Sequence, residues 1–358
     1  LYKKPSGVWI MAYTTIDDPS AFFQTILYEG GTADAKTFSG NSDLALNWFW
    51  GKKREVVQSP YFVDSVRGIV NSLQSNVTAA EYTDTEADDI ASFDSNGFTF
   101  NATGDQFNGT SSDASYVAWC WKAGTAFSND TSSTSVGSID SSGSVSTAAG
   151  FSIIGWTADG SANTIAHGLG AVPKMIIMKK RGATGGWVTY HQAMGNTHGL
   201  FLSTNSAQED NAAFFDDTSP TSAVFTTGSD GALLNNTMIA YCFAEKQGYS
   251  KFGGYTGNGI VDGTFVYTGF KPAFVVCKKI SGSGDWELYD NKRNGYNGGN
   301  VRTYVNDNAA EGGTGRFSLL SNGFKITTSS GNLNGSGDSF IYMAFAENPF
   351  VTSTGVPA

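Results

Sequence analysis

Apolar residues along this chain come in short bursts rather than long stripes. β-Branched and aromatic segments recur at intervals of about eight to fifteen residues, each bounded by Gly, Asn, Asp or Pro, a pattern that predicts strands. In the first third they fall at Val8–Tyr13, Ala21–Tyr28, Ala45–Trp50, Phe98–Asn101 and Tyr116–Trp121. Asp159-Gly160, Asn258-Gly259, Asp262-Gly263, Asn322-Gly323 and Asn334-Gly335 supply hairpin turns, because these dipeptides tolerate the positive φ of a tight turn. Ser339–Ala346 carries apolar residues on both faces, which places it centrally in a sheet. The one helix-like stretch, Thr78–Ile90, is acidic and short and reads as a surface loop or a turn or two. Runs such as Met175–Met178 and Ala273–Cys277 fall far short of the ~18–20 apolar residues that span a bilayer. No membrane insertion is expected.

The pattern repeats. Pro173, Lys179, Trp187 and Tyr190 return as Pro272, Lys278, Trp286 and Tyr289, each 99 residues later (286 − 187 = 99). Ile239–Glu245 returns as Ile341–Glu347, and a divergent third copy lies upstream, where Asn96-Gly97-Phe98 matches Asn322-Gly323-Phe324 and Tyr116–Trp121 stands for Phe340–Phe345. Trp48–Arg54 likewise resembles Val275–Lys279. The expected fold is all-β: tandem antiparallel β-sandwich-like domains in three related repeats, 1–123, 150–249 and 250–350. A Ser/Thr/Gly-rich linker, 124–149, separates the first two, with Val136, Ile139 and Val145 spaced so that part of it could pair as a strand; 351–358 is a tail. Units two and three abut without a linker, which implies stacked or end-to-end packing.

Composition narrows the class. At 358 residues the chain suits two or three domains of about 100–150 residues. Only 15% of residues are charged, against roughly 25% in an average soluble domain, while 44 are Gly and 13% are aromatic. That balance fits a turn-rich extracellular or particle-surface protein better than a cytosolic enzyme. A net charge of −10 and no clustered Lys or Arg argue against nucleic acid. The pairs Lys52-Lys53, Lys179-Lys180 and Lys278-Lys279 read as strand ends capped by solvated charge. Cys120, Cys242 and Cys277 sit within strand patterns and read as small core hydrophobes. The sequence opens on Leu1 without Met and goes straight into a strand pattern, so it reads as a piece of a longer protein.

Phe252–Gly259, Phe265–Val275, Leu320–Lys325 and Ile341–Phe350, together with Ile165–Pro173 and Ser92–Phe98, resemble a repeat found in tail-fibre-like virion structural proteins of marine tailed bacteriophages. The resemblance covers roughly residues 40–350 and is specific for the family, which is defined by its repeats rather than by an activity. It implies a virion structural protein on an exterior appendage, a tail or head fibre engaged in host-surface attachment, assembling as a homo-oligomer with other virion proteins. Three chains are the usual number for fibres.

Candidate chemistry is sparse. His191 and His198 are seven apart but lack the further ligands a structural metal site needs, and His167 stands alone. Acidic loops at Asp84–Asp89, Glu209-Asp210 and Asp216-Asp217 lack EF-hand spacing. Glycosidase chemistry takes two carboxylates across a cleft, for which Glu245, Glu347, Asp285, Glu287 and Asp290 are candidates. Neither a Gly-x-Ser-x-Gly elbow nor a phosphate loop is present. No cofactor or metal is expected. For contact with a glycan or a partner, planar rings and polar groups point to Trp187, Tyr190, Trp286, Tyr289, Asp290, Arg293 and Tyr296. The reading is of a non-enzymatic virion protein; the alternatives are a host-glycan-binding adhesin and a polysaccharide depolymerase using the acids near Trp286.

Overall fold

The computed structural model describes residues 2–3, 9–10, 12–84, 89–101, 106–109, 115–293, 300–313 and 315–358. It is all-β with antiparallel strand pairing, as the burst pattern predicts. The same strand order appears three times. In the first large sheet Ser115–Trp121 lies between Phe23–Glu29 and Trp48–Lys53, and the sheet continues through Tyr61–Asp64 to Asn71–Gln74. In the second, Asn236–Phe243 lies between Phe151–Ala158 and Met175–Lys180, followed by Trp187–His191 and His198–Phe201. In the third, Ser339–Pro349 lies between Ser250–Thr256 and Phe270–Lys279, followed by Glu287–Asp290 and Thr303–Tyr304. A small outer sheet covers one face of each: Ala35–Thr37 with Gly97–Phe100 and Ile90–Asp94, then Asn163–Ala166 with Val224–Thr227, then Phe265–Tyr267 with Gly323–Ile326 and Phe317–Leu320.

Alternation along the central strands explains why both faces are apolar. Tyr116, Ala118 and Cys120 point into the first unit's own sandwich, whereas Val117, Trp119 and Trp121 point the other way. That second face does not meet solvent. The inner faces of all three large sheets converge on one aromatic core, where Trp121 packs on Phe274 of the third unit at 5.3 Å and Trp48 on Tyr241 of the second at 4.5 Å, while Phe243 and Phe345 close the circle at 6.0 Å. Such ring pairs add to an already large burial of apolar area. The units therefore pack side by side about a shared core with three seams, one between each pair, instead of end to end.

One further expectation is corrected, and a surface loop is placed. Residues 124–149 are not a free linker: Thr125–Asn129 and Ser141–Ser146 form a hairpin that adds two strands to the edge at Phe151–Ala158. The hydroxyl-rich sequence pairs because Gly143 lets the backbones approach, its missing Cβ falling 1.9 Å from the Ile153 carbonyl oxygen. Thr78–Asp84 is loop in which only Tyr82–Thr83 pairs, with Asn71 and Ser72; residues 85–88 of the helix-like stretch lie outside the described residues, as do Val8 and Met11 of Val8–Tyr13.

Candidate functional site

The residues expected at a contact surface are mostly interior. Trp187 and Trp286 are 0% and 1% exposed because each crosses a seam, its indole N–H donating to the carbonyl of Gln74 and of Phe201 in the neighbouring unit. Tyr190 packs edge-on against Phe215, and Tyr289 stacks on Phe317 at 4.4 Å while its hydroxyl donates to Glu287. Asp290 and Arg293 are fully buried as an ion pair. These six present almost no surface to a glycan: the two indoles are taken up by the shared core, the two tyrosines by the sandwich cores of their own units, and Asp290 and Arg293 by each other. Tyr296 lies outside the described residues.

The seams are where the polar side chains gather. At the first, between units one and two, Asp64 accepts from Arg67 and from the Tyr241 hydroxyl at 2.7 Å, and Glu81 is held between Arg67 at 2.9 Å and Arg181 at 2.8 Å. At the third, between units three and one, Asp290 accepts from Arg293 at 2.6 Å and from the Trp119 indole at 3.0 Å, and Glu311 lies between Arg293 and Arg54. Strand register makes these the same five positions. At the second seam they are His191, Met194, Gln208, Ile280 and Met343. There His191 Nδ1 accepts from the Ala193 N–H at 3.2 Å, so Nε2 carries the proton and donates to the Tyr342 carbonyl at 3.1 Å. Burial pushes the His191 imidazole down to about 4.

The lysine pairs are likewise corrected. Lys52, Lys179 and Lys278 are 1%, 0% and 0% exposed, one at each seam, and their ammonium groups are caged by carbonyls. Lys52 reaches the carbonyls of Gln58 and of Asn308 in unit three, Lys179 those of Gly185 and of Thr78 in unit one, and Lys278 those of Ser206 and Asn205 in unit two. Burial lowers each to about 8.

The candidate carboxylates are engaged locally. Glu287 is fully buried between Tyr289 and Arg316, Asp285 accepts from Asn306 and Asn332, and Glu245 and Glu347 pair with Lys251 and Lys271. His167 is buried against the Thr221 carbonyl, and His198 bonds Thr197. Among the described residues no three His, Cys, Asp or Glu side chains converge as a metal site, and no helix is long and apolar enough to cross a membrane. Cys120, Cys242 and Cys277 are free and buried, with burial raising each thiol.

One concavity combines polar density with a buried floor. A cavity of about 230 Å³ opens on the third seam, walled by Asp18, Ser20, Gln24, Ser39–Asn41 and Glu347–Asn348, with Thr25, Asn291 and Phe23 beneath and Lys292 beside it. The short helical turn Pro19–Ala21, capped by Asp18, positions the wall: Asp18 accepts from the Ser20 N–H and hydroxyl and from Ser42. Burial alone would raise Asp18, but these donors outweigh it and hold its carboxyl below the ordinary value. Sequence reasoning missed this site because none of its residues forms a motif. The one available signal is that Asn291 stands 99 residues after Gln192 (291 − 192 = 99) and is one methylene shorter.

Fold and seams define a three-unit all-β chain closed around a common aromatic core. A family model, Domain of unknown function (DUF7483), matches residues 18–349, and the chain belongs to that family. A search of curated proteins found no match.

Proposed function

We propose that the chain is a structural component of a tailed-phage virion, a tail or head fibre or appendage protein that takes part in host-surface attachment. What supports this reading, beside the sequence resemblance, is the closure of three units around one core. Two or three separate domains on tethers would move independently, whereas three sheets sharing Trp48, Trp121, Phe243, Phe274 and Phe345 move as one block. A rigid block that displays three outer sheets suits an exposed appendage, and contact with other virion proteins and with further copies would multiply weak contacts. Gold labelling of intact particles with an antibody to residues 150–350, scored by electron microscopy, tests it. Label at tail or fibre tips is the expected result; absence of label and of the chain from purified particles would overturn it.

A further inference from the structure

The second and third seams differ at one place that bears on ligand binding. At the second seam Gln192 Nε2 reaches across to the Phe252 carbonyl on the edge strand of unit three, at 2.5 Å. Register puts Asn291 in Gln192's place and Thr25 in Phe252's. Asn291 makes no such bridge, and the cavity of about 230 Å³ lies there. Its floor is unfinished: among the described residues neither the Asn291 side-chain oxygen nor the Thr25 hydroxyl has a hydrogen-bond partner, although each residue is only 8% exposed. A buried oxygen left unmet is destabilising, so a ligand that donates to both is expected to bind there.

The lining indicates what that occupant is. Asn291 Oδ1 can only accept, the Asp18 carboxylate is held ionised and can only accept, and the Thr25 hydroxyl can do either. The ligand must therefore donate several hydrogen bonds. The buried part of the floor also includes Phe23, Ala273 and Ala346, which suit the C–H face of a ring. Charges nearly cancel, since Asp18 and Glu347 stand with Lys292 and with Lys271, the partner of Glu347. The cavity is below the ~300 Å³ of a drug-sized pocket. We propose that the third-seam cavity is a binding site for one neutral sugar ring, seated on Asn291 and Thr25 and walled by Asp18 and Asn41. This adds a ligand to the attachment reading, and because it is tested in solution it stands or falls separately from the labelling of particles.

The test is amide NMR titration of the full chain with glucose, galactose, mannose and N-acetylglucosamine separately, each to about 50 mM, well above a millimolar Kd of about −4 kcal/mol. At least one is expected to give saturable shifts centred on Thr25, Asn41 and Asn291, with sialic acid and glucosamine weaker. Asn291→Gln, which supplies the missing bridge, is expected to weaken binding at least tenfold. Asn41→Ala, at an exposed wall residue, is expected to weaken it several-fold and decides the matter if Asn291→Gln does not fold. The proposal is overturned if no neutral sugar gives saturable shifts, if the charged sugars bind more tightly, or if both variants bind as the parent does.

Discussion

The seam between units one and two and the seam between units two and three join the same strands in the same register, yet at five matching positions one carries a network of carboxylates and arginines and the other carries none. Asp64, Arg67, Glu81, Arg181 and Tyr241 form a continuous network at the first. His191, Met194, Gln208, Ile280 and Met343 fill those places at the second, where one neutral imidazole and backbone bonds remain, including Gln208 N–H to the Ile280 carbonyl. All five positions change together. That is what the physics of buried charge requires, because a network missing one member leaves an uncompensated ion while a set of five without carboxylate or guanidinium leaves none. The difference also fixes which unit meets which: the acidic face of unit one or three set against Ile280 would bury a carboxylate with no arginine opposite.

The sharpest way to break the comparison is to remove one arginine. Arg67→Met keeps most of the volume but strands Asp64 and leaves Glu81 with Arg181 alone, and is expected to cost about 3–5 kcal/mol in urea unfolding. Met194→Leu, at the matching place in the second seam, is expected to cost under about 1.5 kcal/mol. Equal losses would mean that the networks contribute nothing specific.

Acid should then separate the seams in the other direction. His191 sits near 4 when folded against an ordinary value of 6.5, so the unfolded chain binds the extra proton first. Its contribution is complete above pH 6.5 and is lost as pH falls through 4, to a total of about 3 kcal/mol. His191→Gln should flatten that part of the pH profile, measured as the difference between variant and parent unfolding midpoints from pH 7 to pH 4. A parallel pair of profiles would remove His191 from the account. A middle-sized effect comes from transplanting the neutral set whole. Asp64→His, Arg67→Met, Glu81→Gln, Arg181→Ile and Tyr241→Met together are expected to cost less than Arg67→Met alone, since replacing a buried network entirely is often near neutral.

Much of the fold was legible because alternation and turn dipeptides are local signals. The strand Ser115–Trp121 and the hairpin at Gly97, whose φ of +131° demands glycine, could be read residue by residue. The shared core could not. Trp187 and Trp286 look alike whether they face a sugar or a neighbouring sheet, and only the meeting of three inner faces decides between them. The 124–149 hairpin was obscured for a related reason: Ser, Thr and Gly outnumber its apolar residues and read as linker, while Phe127 and Val145 pack on the core of the second unit beside Phe151–Ala158. The sugar-sized cavity depends on one methylene between Asn291 and Gln192, a difference that has meaning only once the seams are superposed.

The lysines share one design across all three seams, which makes them the finest test of the likeness beneath the difference. Lys52, Lys179 and Lys278 are charged groups surrounded by carbonyls, and among the described residues Lys179 bonds no carboxylate. Their folded values near 8 lie below the ordinary 10.5, so their charged forms are penalised by folding. The stability they add on losing the proton is complete above 10.5 and is lost as pH falls through 8. From pH 9 upward the raised thiols of Cys120, Cys242 and Cys277 act with the opposite sign, which leaves pH 8 to 9 as the window where the lysines dominate. Lys179→Met trades the ammonium's carbonyl bonds for freedom from that penalty, and is expected to stay within about 1 kcal/mol of the parent at pH 7. In the window it should rise less steeply with pH, and the same should hold for Lys52→Met and Lys278→Met, because burial acts on all three regardless of whether the seam beside them is charged. A loss of several kcal/mol at Lys278 alone would show that the neutral seam relies on its lysine for cohesion, and the three cages would no longer count as equivalent.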